Sequence, residues 1–213
     1  MKKGFFISFE GPDGAGKTTQ IKLLAEFLKE KGEEVILTRE PGGTAIGEKI
    51  RSVILDPKNS EMSDSTEMML YAAARAQIVD ELIRPNIEAG RIVLCDRFVD
   101  SSIAYQGYGR DLGQAVTEVN SHAIKECMPD ITFFLKMDPE LCFERKVGSD
   151  TDRIEAEDMA WHRTVYEGYL RLAENNPERI KSIDANRGVK QVQEDIRDIT
   201  IKFMDKYRNG GPV

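Results

Sequence analysis

The sequence predicts an α/β protein: a five-stranded parallel sheet with helices on both faces. Two observations carry that prediction. Short apolar runs alternate, from one end of the chain to the other, with longer segments whose apolar residues recur every three or four positions. The short runs are also continuously apolar rather than alternating, as strands covered on both faces are. The 213 residues suffice for one domain with a real core and are too few for two comfortable ones. Residues 1–213 are therefore read as a single domain.

The elements follow in order. Phe5-Phe6-Ile7-Ser8-Phe9 reads as a buried strand. Thr18 to Lys31 reads as a helix with Ile21, Leu24, Ala25 and Leu28 on one face, ended by Gly32. Val35-Ile36-Leu37-Thr38 is a second strand, followed by a short helix from Ala45 to Leu55. A long helical stretch covers Ser65 to Ala89, with a break expected near Pro85, and Gly90 closes it. Arg91 to Cys95 is a third strand, helical patterns run on to Met128, and Ile131 to Leu135 is a fourth strand. Asp138-Pro139-Glu140 is a helix start, an N-cap carboxylate followed by proline at the first helical position. A polar stretch from Val147 to Asp152 interrupts the helices. Arg179 to Ile183 is the fifth strand and Gly188 to Tyr207 the last helix.

Bulk properties exclude several classes. A net charge of -7 does not suit a protein that grips duplex phosphate backbones. The apolar run at the N-terminus is too short for a signal segment, and no stretch approaches membrane-spanning length. Cys95, Cys127 and Cys142 lack metal-ligand spacing and are odd in number, which points to reduced thiols in a cytoplasmic protein.

In parallel α/β sheets the polar residues just after each strand carry the chemistry. After the first strand comes Gly11-Pro12-Asp13-Gly14-Ala15-Gly16-Lys17-Thr18, which fits G-x-x-x-x-G-K-[ST] in its required strand–loop–helix setting. The glycines let backbone N–H groups curl around a phosphate, and the next helix aims its positive end at the same place. Lys17 is expected to reach the β- and γ-phosphates of ATP, and the Thr18 hydroxyl to ligate Mg²⁺. Asp13, inside the loop, suits Mg²⁺ or a second substrate better than a bare triphosphate. Asp96 ends the third strand and is the expected Mg²⁺-side partner of Thr18. Arg97 follows it where a hydrolase would place a second acid, and so suits an anionic acceptor. These features specify the P-loop NTPase fold.

The string from Asp96-Arg97-Phe98 through Ser102 and Ala104-Tyr105-Gln106-Gly107 resembles the signature segment of thymidylate kinases. So do Phe9-Glu10-Gly11, the run Thr38-Arg39-Glu40-Pro41-Gly42-Gly43-Thr44, and Asp152-Arg153-Ile154-Glu155. The resemblance implies transfer of the γ-phosphoryl group of ATP to dTMP, with Mg²⁺ as cofactor, in a homodimer. It implies that Arg39 and Arg97 hold the acceptor phosphate, and that Asp13 lies near the acceptor sugar and phosphate. Tyr71 would stack on thymine and Arg75 donate to a thymine carbonyl, and one helical turn between them lets one base touch both. Ser102 would face the base edge, Tyr105 crowd the sugar 2′ position, and Gln106 belong to the same acceptor wall. The candidate lid spans about 145–154, with Arg153 as its first cation and Arg145 as its second. The chain departs from the family pattern at Ala74, often polar, at Phe98, commonly Tyr or His, and at Gly14, where some members carry arginine.

Two rival readings are weighed. A nucleoside kinase acts on an alcohol and needs a carboxylate base, for which Glu40 is the candidate. A GTP-dependent switch should show an Asn-Lys-x-Asp motif, and the chain has no Asn-Lys pair.

Overall fold

The computed structural model describes residues 4–145 and 151–208. Its elements are β1 (Phe5–Glu10), α1 (Lys17–Glu30), β2 (Val35–Arg39), α2 (Ala45–Leu55), α3 (Asp64–Ile78), α4 (Arg84–Glu88), β3 (Ile92–Asp96), α5 (Val99–Ser102), α6 (Gln114–Ile124), β4 (Ile131–Lys136), α7 (Pro139–Glu144), α8 (Met159–Asn175), β5 (Ile180–Asp184) and α9 (Val189–Arg208). The five strands pair only in parallel, in the order β2-β3-β1-β4-β5.

The two-residue period of β1 divides the core. Phe5, Ile7 and Phe9 pack with Leu24 and Leu28 of α1 and Ile196 of α9. Phe6 turns to the opposite face, among Ile78, Val79 and Ile83 and edge-on to Phe98 at 4.9 Å. Each such side chain contributes roughly 1.5–3 kcal/mol when fully buried. β2, at the edge of the sheet, is only partly covered, and Leu37 stays 44% exposed.

Helix starts follow local chemistry. Thr44 caps α2 by accepting from Gly47 N, Ser63 caps α3 from Thr66 N, and Asp158 caps α8 from Trp161 N. Asp138 caps α7 from Glu140 N, with Pro139 at its first turn as the sequence predicts. Pro85 does not break the long helix. α3 widens into a π-helical segment, Val79–Ile83, and runs on as α4. Proline lacks an N–H and its ring crowds the carbonyl four residues back, here Glu81, so the loosened turn falls just before it. α5 likewise runs into a π-helical segment, Ile103–Gly109.

Register positions the site. Phe9 stands opposite Asp96 on one side and Phe133 on the other, and Arg39 stands opposite Asp96 from β2. The loops after β1, β2 and β3 therefore meet at one end of the sheet, beyond the carboxyl ends of the strands.

Candidate active site

The loop after β1 is shaped for an anion. Gly16, at φ 93, begins α1 in the left-handed region, with no side-chain hydrogen bond capping the helix. A Cβ on Gly16 would meet nothing within 4 Å, so the helix start faces open space. Gly14 is constrained in the opposite way. At φ 91, its Cβ would stand 2.6 Å from the Cys142 carbonyl oxygen of α7. The arginine some family members carry there has no room in this chain. Lys17 is 6% exposed, and its Nζ donates to the carbonyls of Gly11 at 3.0 Å and Pro12 at 2.9 Å. Burial, then the nearby Arg97 charge, lowers its pKa, so an anion arriving in the loop restores the charged form's favour. Thr18 Oγ1 donates to Asp96 Oδ2 at 2.8 Å. A hydroxyl and a carboxylate oxygen side by side form a hard donor pair of the kind Mg²⁺ takes, with water and phosphate oxygens completing its shell.

Arg97 follows at φ 70, a left-handed conformation that costs a residue with a Cβ roughly 1–3 kcal/mol. Its Nη2 donates to Asp13 at 2.8 Å, and its guanidinium lies 5.1 Å from the Tyr105 ring centroid. Beneath it lies Glu10, fully buried, which accepts from Phe98 N, Ser101 Oγ and Tyr169 OH. Burial, reinforced by the Asp100 carboxylate, pushes the Glu10 carboxyl up to about 7.

An open cavity of about 600 Å³, counting solvent at its mouth, adjoins the loop. Asp13, Tyr71, Arg75, Arg97, Ser102, Tyr105 and Gln106 all line it. Tyr105 is held edge-on by Trp161 at 5.6 Å and by Tyr169 at 6.2 Å. It is a fixed wall rather than a swinging side chain.

Two expectations need correction. Arg39 does not line the cavity. Its guanidinium is 54% exposed and pairs with Glu48 of α2 at 3.0 Å, because the end of an edge strand faces the next helix. Arg153, expected as the first lid cation, is 9% exposed and turned inward. It donates to Ile54 O at 2.9 Å and to Glu67 Oε2 at 2.6 Å, which ties the segment to α2 and α3. Arg75 lines the cavity, yet all five of its N–H groups are engaged, on Glu40 Oε2 twice, Phe98 O, Ser102 Oγ and Asn120 Oδ1. A donation to a thymine carbonyl would require one of these to let go. Ser102, which accepts from Arg75, still has its own proton to give. Residues 146–150 of the expected lid lie outside the described residues. Arg145 is exposed at the end of α7, the helix whose Cys142 carbonyl touches the phosphate loop.

The sequence reading missed other site residues. Arg51 lines the cavity and is steadied by Pro41 O at 2.9 Å. Ser101 lines it as well, while Glu67 and Tyr169 sit behind. Glu67, 1% exposed, gathers Gln106, Arg110 and Arg153. In sequence it is one acid in the first turn of an ordinary helix. Tyr169 lies on α8 between Val165 and Leu172, where it reads as core.

A parallel sheet, a G-x-x-x-x-G-K-T loop opening α1 and a carboxylate closing β3 define a P-loop nucleotide-binding protein, here with a cavity beside the loop. The family model described as thymidylate kinase matches residues 9–196. A thymidylate kinase of Exiguobacterium sp. is 49% identical over 211 residues, covering 98% of each chain. One of Geobacillus sp. is 52% identical over 194 residues, 89% of this chain and 92% of that one. The crystal structure of thymidylate kinase from Ehrlichia chaffeensis superposes with a TM-score of 0.75 at 32% identity, covering 93% of this chain and 99% of that chain. The chain belongs to the thymidylate kinase family.

Proposed function

We propose that the protein transfers the γ-phosphoryl group of ATP to the phosphate of dTMP, giving dTDP and ADP. The observation that carries this is Arg97. It stands where the phosphate loop meets the acceptor cavity, bridged to the loop by Asp13 and fixed against Tyr105. A cation at that junction suits an acceptor that already bears a phosphate.

The acceptor monoester has a second pKa of about 6 and is mostly a dianion near neutral pH. Its oxygen attacks the γ-phosphorus while the bond to the β–γ bridging oxygen breaks, and ADP leaves with that electron pair. No general base is required. Lys17 releases the Gly11 and Pro12 carbonyls to meet the β- and γ-phosphates, and Arg97 neutralises charge from the acceptor side. Among the described lid residues Arg145 is the available cation, since Arg153 is committed to Glu67. Thr18 and Asp96 would hold Mg²⁺, which when bound screens charge between the phosphates. Tyr71 faces the base, Tyr105 the sugar, Ser102 the base edge, and Asp13 the sugar and phosphate, with Gln106 behind.

We further take residues 1–213 to work as one unit, as a cytoplasmic homodimer. Exposed Met69, Ile46 and Val53 on the neighbouring helices α2 and α3 support the dimer. Three free cysteines support a reducing compartment. No described helix is long and apolar enough to cross a membrane.

The alternative acceptor, a nucleoside hydroxyl with Glu40 as base, is disfavoured. Burial raises the Glu40 carboxyl to about 7, and its Oε2 is held by Arg75 at 2.6 and 2.8 Å, which leaves only the buried Oε1 to act as a base. Steady-state kinetics with dTMP, dUMP, dCMP and UMP test the reading. The expected order places dTMP first and the ribonucleotide far behind. If UMP equals dTMP, the Tyr105 assignment fails. If dCMP wins, the base-pocket assignment fails.

A further inference from the structure

We propose that Glu10 is a positioning residue that aims Arg97, acting through the hydroxyls of Ser101 and Tyr169; the proposal rests on the acceptor-phosphate role of Arg97 given above. Glu10 does not line the cavity, so it acts on substrate only through other groups.

The hydrogen-bond partners lay out the relay. Arg97 Nη1 donates to Ser101 Oγ at 3.2 Å and to Tyr169 OH at 3.0 Å. Each hydroxyl then has one proton to give, and each reaches Glu10 Oε2, at 2.6 Å from Ser101 and 2.9 Å from Tyr169, while the two hydroxyl oxygens stand 2.8 Å from each other. A buried carboxylate thus draws protons from this hydroxyl pair and leaves lone pairs for the guanidinium. The other oxygen, Glu10 Oε1, accepts from Phe98 N at 2.7 Å, the peptide that follows the left-handed Arg97. One side chain on β1 therefore holds both the backbone and the guanidinium of a residue after β3. The nearby Asp100 carboxylate does not compete for these donors. Arg179 takes it at 2.6 and 2.7 Å, with Thr132 adding a bond at 3.2 Å. Of Arg97's other contacts, Tyr105 offers only its ring face and Asp13 is half-exposed, so the relay supplies the buried hydrogen-bonded end.

The test is a set of kinetic cycles. Tyr169→Phe removes the hydroxyl and keeps the ring stacked on Phe134 at 5.3 Å. We expect Tyr169→Phe and Glu10→Gln each to lower kcat about tenfold, with the KM for ATP unchanged. The double variant should fall no further than the worse single one, because both changes break one relay. In an Arg97→Lys background, Tyr169→Phe should have no further effect. Independent, multiplying losses, or full kcat in Tyr169→Phe, would overturn the relay. If Glu10→Gln does not fold, Tyr169→Phe combined with Arg97→Lys still decides the matter. Arg97→Ala separates the two levels. An unchanged kcat in that variant refutes the role of Arg97 itself and the relay with it. A collapsed kcat in Arg97→Ala beside a normal Tyr169→Phe refutes the relay alone.

Discussion

The donor and acceptor halves of the cleft are built on different plans. The donor half is largely local: one loop, one helix start, and a lysine folded onto carbonyls five and six residues away, with Thr18 reaching Asp96 on a distant strand. The acceptor half is assembled from pairs distant in sequence. Arg75 meets Glu40 across 35 residues, Arg153 meets Glu67 across 86, and Tyr169 meets Glu10 across 159. Lys17 of the donor loop is held by backbone carbonyls that a phosphate can replace, whereas the acceptor wall is tied together by buried side chains.

That contrast sets the order of expected effects. Lys17→Ala should be the most damaging, lowering kcat by roughly a thousandfold or more with little change in melting temperature. A large loss of thermal stability would show that Lys17 holds the fold as well as the phosphate. Arg75→Ala should do the reverse and strike stability first. It leaves the Glu40 carboxyl buried without its partner, at a cost of about 3–5 kcal/mol in denaturant unfolding. It should also raise the dTMP KM more than it lowers kcat. Equal loss of kcat and kcat/KM would contradict a binding role.

A third effect depends on pH. Glu10 is raised from 4.5 to about 7 in the folded protein. Its contribution to stability is therefore fully present below about pH 4.5 and is lost as pH rises through about 7. Against Glu10→Gln, the wild type should lose on the order of 3 kcal/mol of relative stability over that window. A pH-independent difference would mean that the carboxyl is not raised. The same ionisation that arms the Arg97 relay weakens the fold. The smallest effect belongs to Arg39→Ala. An exposed pair with Glu48 contributes about 0–1 kcal/mol, and kinetics should stay within about twofold. A tenfold rise in dTMP KM would restore Arg39 to the acceptor site.

Legibility in the sequence follows the same division. The five strands, the phosphate loop and the Asp96–Arg97 pair are local patterns, and the structure places them where the periodicity does. The π-helical segments were not legible, because a π turn leaves no residue signature beyond Pro85. Arg39 and Arg153 were misjudged for one reason. A motif says which residue stands at a position but not where a long side chain turns, and Glu48 and Glu67 decide that through contacts no local window contains. Glu67 and Tyr169 were invisible for the complementary reason, since each looks like an ordinary residue of its own helix.

The central claim is that the acceptor already carries a phosphate. It is tested most directly by offering γ-labelled ATP to the enzyme with thymidine and dTMP at equal concentration and separating the products. The account predicts label in dTDP with thymidine untouched. Label appearing first in dTMP would contradict it and make Glu40 the base.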